Sequence, residues 1–365
     1  MTAPRADAPV ELLYAVARSF FELAAQRRTD SFRLPYPSNV QLTLDRVVLD
    51  CLRRGVSPPL SVPDLVRQFT AGTTAEPPIV MPAGLVPQNA PLISDLTRLP
   101  TRTCAELASA GPYGIVEQEA ERTLTEIADA CPSIDSFEAC RDFLIANVAV
   151  SPQEARSLTA SSRTSLTWQR LKGVYAEVPA AYTTREMGER VFVRCPACGF
   201  PALPLPDERW VCESGYCEAI KVPDRHPIEG TLLLPTPLRL FLALPGGPEQ
   251  AIRHRLASAG ITTALVPGGL GAYRFTHPTG ETGVLRVYDR EQPALLAVRL
   301  AEEAAHPGEH RIAVIPDRVI GRQAAYLTVL AEHMPQGKGL ILSSEEDLSA
   351  VIGFSDREQG AGAYA

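Results

Sequence analysis

The stretch LRVYDREQPALLAVRLAE, residues 285–302, decides the fold of the C-terminal part of this 365-residue chain. Apolar residues at its start predict a short strand, DREQ at residues 289–292 forms a charged turn, and the residues from Pro293 onward have the spacing of an amphipathic helix. A hairpin is predicted before this stretch, and the apolar run RIAVIP at residues 311–316 predicts another strand after it. The stretch therefore indicates a layered domain in which strands and helices alternate.

The flanking segments extend this pattern in both directions. Helices are predicted at residues 248–259, 293–305 and 322–333, and a last helix is predicted after a capping box of Ser343 and Glu346. Strands are predicted at residues 262–266, 273–277, 283–288, 311–316 and 339–342. The order is α, β, β, β, α, β, α, β, which predicts a mixed sheet with helices on both faces. This order resembles the core of restriction-endonuclease-like proteins.

Composition limits the class of protein. Hydrophobic residues make up 45% of the chain, enough for a sizeable core, and the formal net charge is −7. The acidic balance argues against a protein that coats nucleic acid or membranes by bulk electrostatics, so any nucleic-acid contact has to be local. Charged residues interrupt the apolar N-terminus, and no apolar run approaches the length of a membrane span. We therefore expect a cytoplasmic protein with no membrane partner.

The N-terminal half carries helical patterns but no chemical motif. Helices are predicted at residues 11–27, 40–54, 61–69, 117–130, 137–147 and 168–175. The proline-rich residues 71–103 lack periodicity and predict a long irregular connection. A helix-turn-helix or winged-helix arrangement is the alternative, but an ordinary helical bundle is favoured because the spacing carries no specific signature of either. We predict a helical N-terminal region over residues 1–180 and assign it no chemistry.

Four cysteines have the spacing of a metal site. Two residues separate Cys195 from Cys198, four separate Cys212 from Cys217, and 13 residues separate the pairs. Paired thiolates on two tight turns supply the four ligands that tetrahedral Zn²⁺ prefers, so a zinc ribbon is predicted at residues 190–222. A closed four-thiolate shell leaves no position for substrate, so the zinc would be structural. Disulfides and buried free thiols are the alternatives.

The outer side of this ribbon has two possible uses. It could contact nucleic acid through Arg194, Arg209, Trp210 or Lys221, or it could pack against the neighbouring domain. Packing is favoured, because ribbons often serve as small rigid spacers whose folding is driven by metal. The remaining cysteines lack comparable pairing and are predicted to be core thiols: Cys51, Cys104, Cys131 and Cys140.

Several segments together resemble one family. They are CRDFLIANVAVSP at residues 140–152, CPACG at 195–199, LPGGPEQAIRHRLASAG at 244–260, LGAYRF at 270–275 and GVLRVYDREQPALLAVRL at 283–300. Over about residues 137–316 the chain resembles the restriction-endonuclease-fold protein encoded beside prokaryotic PIWI-RE proteins. The resemblance implies a three-gene system thought to act against plasmids or phages. Its other members, and hence the implied partners, are the PIWI-RE protein and a DinG-type helicase.

The resemblance also implies where metal ligands should lie. In restriction-endonuclease-like enzymes, carboxylates on the first helix and the third strand hold Mg²⁺, and a lysine steadies the attacking water. Glu249 stands on the predicted first helix, and Asp289 and Pro293 match the later aspartate and proline of the family pattern. These matches indicate that the fold of the family is retained.

The sequence departs from the family pattern where the chemistry would occur. Arg286 stands at the metal-binding aspartate, Tyr288 stands at the lysine, and Ala272 or a neighbour replaces another acidic position. A permanent guanidinium cation offers no ligand oxygen and would repel Mg²⁺. No other lysine can substitute, since none lies between Lys221 and Lys338. The resemblance therefore implies a degraded active site.

The altered residues leave three roles open. Arg286 could bind a phosphate as a bidentate fork while Tyr288 stacks on a base. Both could instead face solvent or neighbouring helices. Asp289 and Glu291 could form a displaced Mg²⁺ site with Glu249, although most carboxylates in turns are merely solvated.

These observations predict an α+β multidomain protein. Its parts are the helical N-terminal region, the zinc ribbon and, at residues 235–355, an α/β restriction-endonuclease-like domain with a mixed sheet. The expected function is that of an accessory, catalytically inactive subunit that binds DNA or RNA, partner subunits, or both. An active metal-dependent nuclease with displaced ligands and a protein-interaction scaffold without nucleic-acid contact are the alternatives.

Overall fold

The structure is a computed structural model that describes most of the chain. The described residues are 8–26, 34–70, 78–81, 84–87, 90–111, 113–186, 188–205, 209–217, 220, 222–266, 270–277, 280, 282–302, 310–334 and 340–352. Lys221, Lys338 and residues 353–355 of the predicted C-terminal domain lie outside them.

The N-terminal part is helical. Its helices are α1 (Ala8–Gln26), α2 (Ser38–Arg54), α3 (Val62–Gln68), α4 (Arg102–Ser109), α5 (Val116–Asp129), α6 (Ile134–Ala146), α7 (Pro152–Ala160) and α8 (Ser165–Leu171). Ser61 caps α3 by accepting a hydrogen bond from the Asp64 amide. Helix α1 packs against both α2 and α4. This brings α4, which the sequence pattern did not predict, into the core of the molecule.

Short strands lie between α6 and the C-terminal sheet, and several of them flank the four cysteines along the chain. They are β1 (Ala149–Val150), β2 (Ala176–Glu177), β3 (Thr183–Glu186), β4 (Glu189–Arg194), β5 (Ala202–Pro204), β6 (Trp210–Cys212), β7 (Asp224–Pro227) and β8 (Leu232–Leu233). They form small sheets in the orders β1-β8-β2, β3-β4-β7 and β5-β6. The β5-β6 hairpin connects the two cysteine pairs, so the second pair is presented at the end of β6.

The C-terminal part contains the mixed sheet. Its elements are α9 (Thr236–Leu238), a π-helical turn (Arg239–Ala243), α10 (Leu244–Ser258), β9 (Thr262–Leu265), β10 (Ala272–Thr276), β11 (Thr282–Val287), α11 (Pro293–Glu302), β12 (His310–Ile315), α12 (Asp317–Ile320), α13 (Tyr326–His333), β13 (Leu340–Ser344) and α14 (Leu348–Ile352). The strand order is β13-β12-β11-β10-β9. The β9-β10-β11 pairs are antiparallel, whereas β12 and β13 join in parallel.

Helices cover both faces of this sheet. Alternate residues of β12 point to opposite faces, so Ile312 and Val314 enter one core cluster and Ala313 and Ile315 enter another. The first cluster includes α10 and continues without a break into α1 and α6; the second includes α11 and α13. The predicted α+β class, the helical N-terminal region and the mixed sheet are confirmed.

Some predicted boundaries were wrong. Helix α10 begins at Leu244, so Pro248 lies inside the helix and not in its first turn. The predicted helix at residues 322–333 starts later than expected, because α13 begins only at Tyr326, and the short α12 before it was not predicted. The last capping pair is Ser344 with Asp347, one residue after the predicted pair. No helix among the described residues has the length and apolar character needed to cross a membrane.

Candidate functional site

Asp289, which follows β11 directly, is held by three side chains. Its carboxylate accepts hydrogen bonds from Arg102 Nη2 at 2.6 Å, from the Tyr216 hydroxyl at 2.6 Å and from Arg318 Nη2 at 2.5 Å. The side chain is completely buried. Burial would raise the pKa of Asp289, but Arg102 and Arg318 bring it below its usual value. Asp289 is therefore an anion whose charge is already neutralised within the chain.

Glu249, the predicted remnant on the first helix of the domain, is also occupied. Both of its carboxylate oxygens pair with the guanidinium of Arg141 on α6 at 2.5 Å, and it also accepts a hydrogen bond from the Tyr273 hydroxyl. Arg141 and Glu249 are each about 1% exposed. A Cβ at Gly271, whose φ is +74°, would lie 2.4 Å from Glu249 Oε2. The backbone thus closes over the pair, and no ligand position remains open there.

Arg286, which the resemblance places at a metal-binding aspartate, faces acidic residues of α5. Its Nη2 lies 3.4 Å from Glu117 and 3.9 Å from Glu121, and its guanidinium stands 5.0 Å from the centre of the Tyr288 ring. Tyr288 is 4% exposed and belongs to the core cluster with α11 and α13. In this arrangement the guanidinium of Arg286 is not placed for a bidentate contact with a phosphate. The buried ring of Tyr288 cannot stack on a base.

Glu117 binds more than one arginine of the C-terminal part. Besides Arg286, it pairs with Arg290 at 2.5 Å and with Arg299 at 3.6 Å. Burial would raise the pKa of Glu117, but these guanidinium groups lower it below its usual value. Glu117 is therefore a charged acceptor for the arginines around β11 and α11.

Glu106 of α4 binds the chain just before α11. Its two carboxylate oxygens accept hydrogen bonds from the amides of Glu291 and Gln292 at 2.6 and 2.9 Å. Burial raises the pKa of Glu106 to about 7. Glu291, the third predicted remnant, is partly exposed and only loosely paired, at 3.9 Å from Arg102 and 3.6 Å from Arg322.

These contacts form one interface between the N-terminal helices and the C-terminal sheet domain. We call it the arginine–carboxylate interface; its members are Arg102, Glu106, Glu117, Glu121 and Arg141 on one side, and Glu249, Arg286, Asp289, Arg290 and Arg299 on the other. It brings together the predicted residues on β11 and the turn after it, whereas Glu249 lies in a separate buried pair. No two carboxylates are left free for a Mg²⁺ ion among these residues.

The four predicted metal ligands do come together. The Sγ atoms of Cys195, Cys198, Cys212 and Cys217 lie within 4.8 Å of one another. Sγ of Cys198 is 3.3 Å from that of Cys212 and 3.4 Å from that of Cys217. These distances are too long for a disulfide, at about 2.05 Å, and close to the roughly 3.8 Å edge of a tetrahedron with Zn–S bonds of about 2.3 Å.

The protonation of these thiols also fits a metal site. Hydrogen bonding from Cys212 lowers the pKa of Cys198 to about 5, while the same contact and burial raise the pKa of Cys212. The Cys198 thiolate is thus stabilised while Cys212 stays protonated. A divalent cation would allow all four cysteines to bind it as thiolates. The cluster can hold a metal ion, with Cys195 and Cys212 buried and the other two cysteines nearer the surface.

The charged and aromatic residues beside the cysteines are mostly engaged with the chain. Arg194 pairs with Glu154 at 2.9 Å and with Asp224 at 2.7 Å. Trp210 is half-buried against the main core cluster, whereas Arg209 is exposed.

Sequence reasoning missed the N-terminal side of the interface. Arg141 is the clearest case, because it lies three and four residues from Leu144 and Phe137, on the apolar face of α6. A charged residue at such a position indicates a buried partner. Glu117 has the same signal between Val116 and Ala120 on α5. The partners themselves, 108 and 169 residues away, leave no trace in local spacing.

Two family models match the chain. The pPIWI_RE three-gene island domain Y matches residues 12–151, and the REase associating with pPIWI_RE matches residues 246–359. Together the matches span more than two thirds of the chain. This chain belongs to the REase-like proteins of the pPIWI-RE system. No curated protein and no solved structure matches it.

The family matches divide this pPIWI-RE protein differently from the sequence resemblance, which began at about residue 137. The N-terminal helices have a match of their own, here called the Y region (12–151), and the REase region (246–359) starts within α10. The cysteine cluster lies in the segment between them. Each ion pair of the arginine–carboxylate interface therefore joins the Y region to the REase region.

Proposed function

We propose that this protein is a non-catalytic subunit of the pPIWI-RE island, in which the REase region serves as a binding module. One observation carries the proposal: the residues at the remnant metal positions are bound by the Y region. Glu249 is neutralised by the buried Arg141, and Asp289 is neutralised chiefly by Arg102, which is mostly buried. Arg286 stands where a metal-binding carboxylate is expected.

The chemistry of these groups supports this proposal. A nuclease of this type needs carboxylate oxygens directed at a shared Mg²⁺ ion and a base or lysine beside the attacking water. Breaking a buried ion pair to free one carboxylate costs roughly 3–5 kcal/mol, because the arginine is left uncompensated. Recruiting Glu249 and Asp289 together would require two such losses, which makes a displaced-ligand nuclease the weaker alternative.

A cleavage assay tests the proposal. Labelled DNA, RNA and hybrid substrates are incubated with the purified protein and Mg²⁺ or Mn²⁺, beside Glu249→Gln and Asp289→Asn variants. We expect no metal-dependent cleavage, and any background should be equal in all three proteins. Cleavage by the wild-type chain that is lost in either variant would establish a nuclease with displaced ligands.

The cysteine cluster supports a structural Zn²⁺ site in this subunit. Four thiolates favour Zn²⁺ over Mg²⁺ or Ca²⁺, and a closed shell leaves no coordination position for a substrate. When bound, Zn²⁺ would supply a cross-link between β6 and the loop before β5, with no part in hydrolysis. Metal analysis of the purified chain should give one zinc per protein, and a Cys198→Ser, Cys217→Ser variant should lose it.

The partners proposed for the subunit are the PIWI-RE protein and the DinG-type helicase of the island. A nucleic-acid role is a separate proposal for Arg209, which is exposed, and the half-buried Trp210 beside it. Arg286 and Tyr288 take no part in it, because both are engaged within the chain. Co-purification with the PIWI-RE protein distinguishes the two. Association that survives nuclease treatment and high salt indicates a protein scaffold; association lost under both, and weakened by Arg209→Glu, indicates a nucleic-acid bridge.

A further inference from the structure

The loop between the cysteines of the second pair is longer than that of the first pair and contacts the C-terminal part of the chain. The first pair, CPAC, has two residues between its cysteines, whereas the second, CESGYC at residues 212–217, has four. The longer loop, here called the second knuckle, projects two side chains away from the metal site, Glu213 and Tyr216. Each is bound by the C-terminal part of the chain.

Glu213 ties the second knuckle to the segment that leads into α10. Its carboxylate accepts hydrogen bonds from Nε and Nη2 of Arg239, both at 2.7 Å, and from the Tyr182 hydroxyl at 2.7 Å. Arg239 is 1% exposed and lies in the π-helical turn. This is a buried bidentate pair of the kind that fixes geometry as well as charge.

Tyr216 ties the second knuckle to the turn after β11. Its hydroxyl donates to Asp289 at 2.6 Å and accepts from Arg102 Nη1 at 2.5 Å. The Tyr216 ring also lies beside three guanidinium groups, those of Arg102 at 5.1 Å, Arg318 at 4.2 Å and Arg322 at 4.4 Å. Arg102 belongs to the Y region, whereas Asp289, Arg318 and Arg322 belong to the REase region.

The backbone of the second knuckle is equally engaged. Arg322 donates a hydrogen bond to the Gly215 carbonyl. Ser214 Oγ lies 3.1 Å from Cys212 Sγ and 3.7 Å from Cys217 Sγ, and it accepts from the Tyr216 amide. The conformation that gathers the cysteines is therefore the same one that directs Tyr216 at Asp289.

We infer that the metal centre acts as a joint between the Y and REase regions, with Tyr216 as the positioning residue that couples metal binding to the arginine–carboxylate interface. Four thiolates bound to one ion fix the second knuckle, and the fixed knuckle holds Asp289, Arg102 and Arg318 in one arrangement. By reciprocity, the intact interface strengthens metal binding by the same factor. The inference rests on the metal binding proposed above and not on the absence of nuclease activity.

Hydrogen exchange of the full chain tests this coupling. Amide exchange in α4, residues 289–292 and α12 is measured with metal bound and after chelation, with metal content determined for each sample. In the wild-type chain, chelation should accelerate exchange in these segments by about fivefold or more. In metal-loaded Tyr216→Ala, exchange there should already be fast, and chelation should add little. Tyr113→Ala, which removes an exposed tyrosine elsewhere, should behave as the wild type.

The outcomes separate the two proposals. A chain purified without metal would overturn the metal site and the joint together. Metal-loaded Tyr216→Ala with wild-type exchange in α4 and α12 would overturn the joint alone, and this comparison holds even if chelation unfolds the whole chain. A reciprocal measurement uses Asp289→Asn, which should lose metal to a competing chelator at least fivefold more readily than the wild type. Unchanged metal affinity would contradict the inference, whatever the cleavage assay shows.

Discussion

Arg141 and Glu249 form the most enclosed ion pair of the interface, and their contribution depends on both partners being present. Arg141→Met leaves a buried carboxylate with only the Tyr273 hydroxyl, so we expect a loss of roughly 3–5 kcal/mol in the free energy of unfolding. The double variant Arg141→Met, Glu249→Leu should recover most of this loss, because no buried charge remains. Urea unfolding of the wild type, Arg141→Met, Glu249→Leu and the double variant measures these effects. A double variant as unstable as the sum of the two singles would contradict this explanation.

Glu106 should make stability depend on pH near neutrality. Burial raises its pKa in the folded protein to about 7, above the ordinary 4.5. A raised folded-state pKa gives a contribution to stability that is full below about pH 4.5 and is lost as the pH rises through about 7. Asp289 and Glu117 have lowered pKa values, so their contributions change only at more acidic pH. We therefore expect a lower urea midpoint at pH 8 than at pH 5.5.

The variant Glu106→Gln identifies the source of this dependence. It cannot titrate, so the difference in urea midpoint between pH 5.5 and pH 8 should shrink. Glu119→Gln, an exposed position on α5, serves as the matched control and should keep the wild-type difference. The charged groups that face Glu106 are Arg102, Arg290 and Glu291, and all three remain in both variants. Equal pH dependence in Glu106→Gln and the wild type would assign the effect to another group.

At the scale of elements, the approach of α10 to α6 depends on one glycine. A Cβ at Gly246 would lie 2.5 Å from Cγ2 of Ile145, whereas a Cβ at Gly247 would meet no atom within 4 Å. We expect Gly246→Ala to reduce the free energy of unfolding by about 1–3 kcal/mol through overpacking. Gly247→Ala should change it by less than about 1 kcal/mol, since its gain in helix propensity is offset by crowding against Pro248. Similar losses in both variants would show that the two helices do not pack closely.

The elements also show how much the sequence could predict. The order of strands and helices along the chain around β11 followed from periodicity, because the strands carry apolar residues and are bounded by turn residues. Helix α4 did not, since its eight residues follow a proline-rich connection and are too few for a clear period. Its cap, the Thr101 hydroxyl that accepts from the Cys104 amide, was available as a signal. Because α4 was not predicted, there was no basis in the sequence for placing Arg102 and Glu106 on a buried helix.

The candidate site was predictable in its composition but not in its contacts. The four cysteines are close in sequence, so their spacing alone predicted a cluster. The resemblance predicted that Arg286 and Tyr288 replace a metal-binding aspartate and a lysine, and this stays a prediction. Neither the spacing nor the resemblance could predict that Arg102 binds Asp289. The two residues are 187 positions apart, and local sequence pattern carries no information about such distant pairs.

At the scale of the whole molecule, the two matched regions should behave as one cooperative unit. One apolar cluster runs from α1 through α6 to α10 and α14, so the Y and REase regions share a core as well as the charged interface. We expect a single calorimetric transition whose calorimetric and van't Hoff enthalpies agree. Asp289→Asn should shift this transition to lower temperature as a whole, because its partners Arg102 and Tyr216 come from outside the REase region. Two resolved transitions, with only one displaced by Asp289→Asn, would mean that the REase region is stable by itself and that the interface contributes little to its fold.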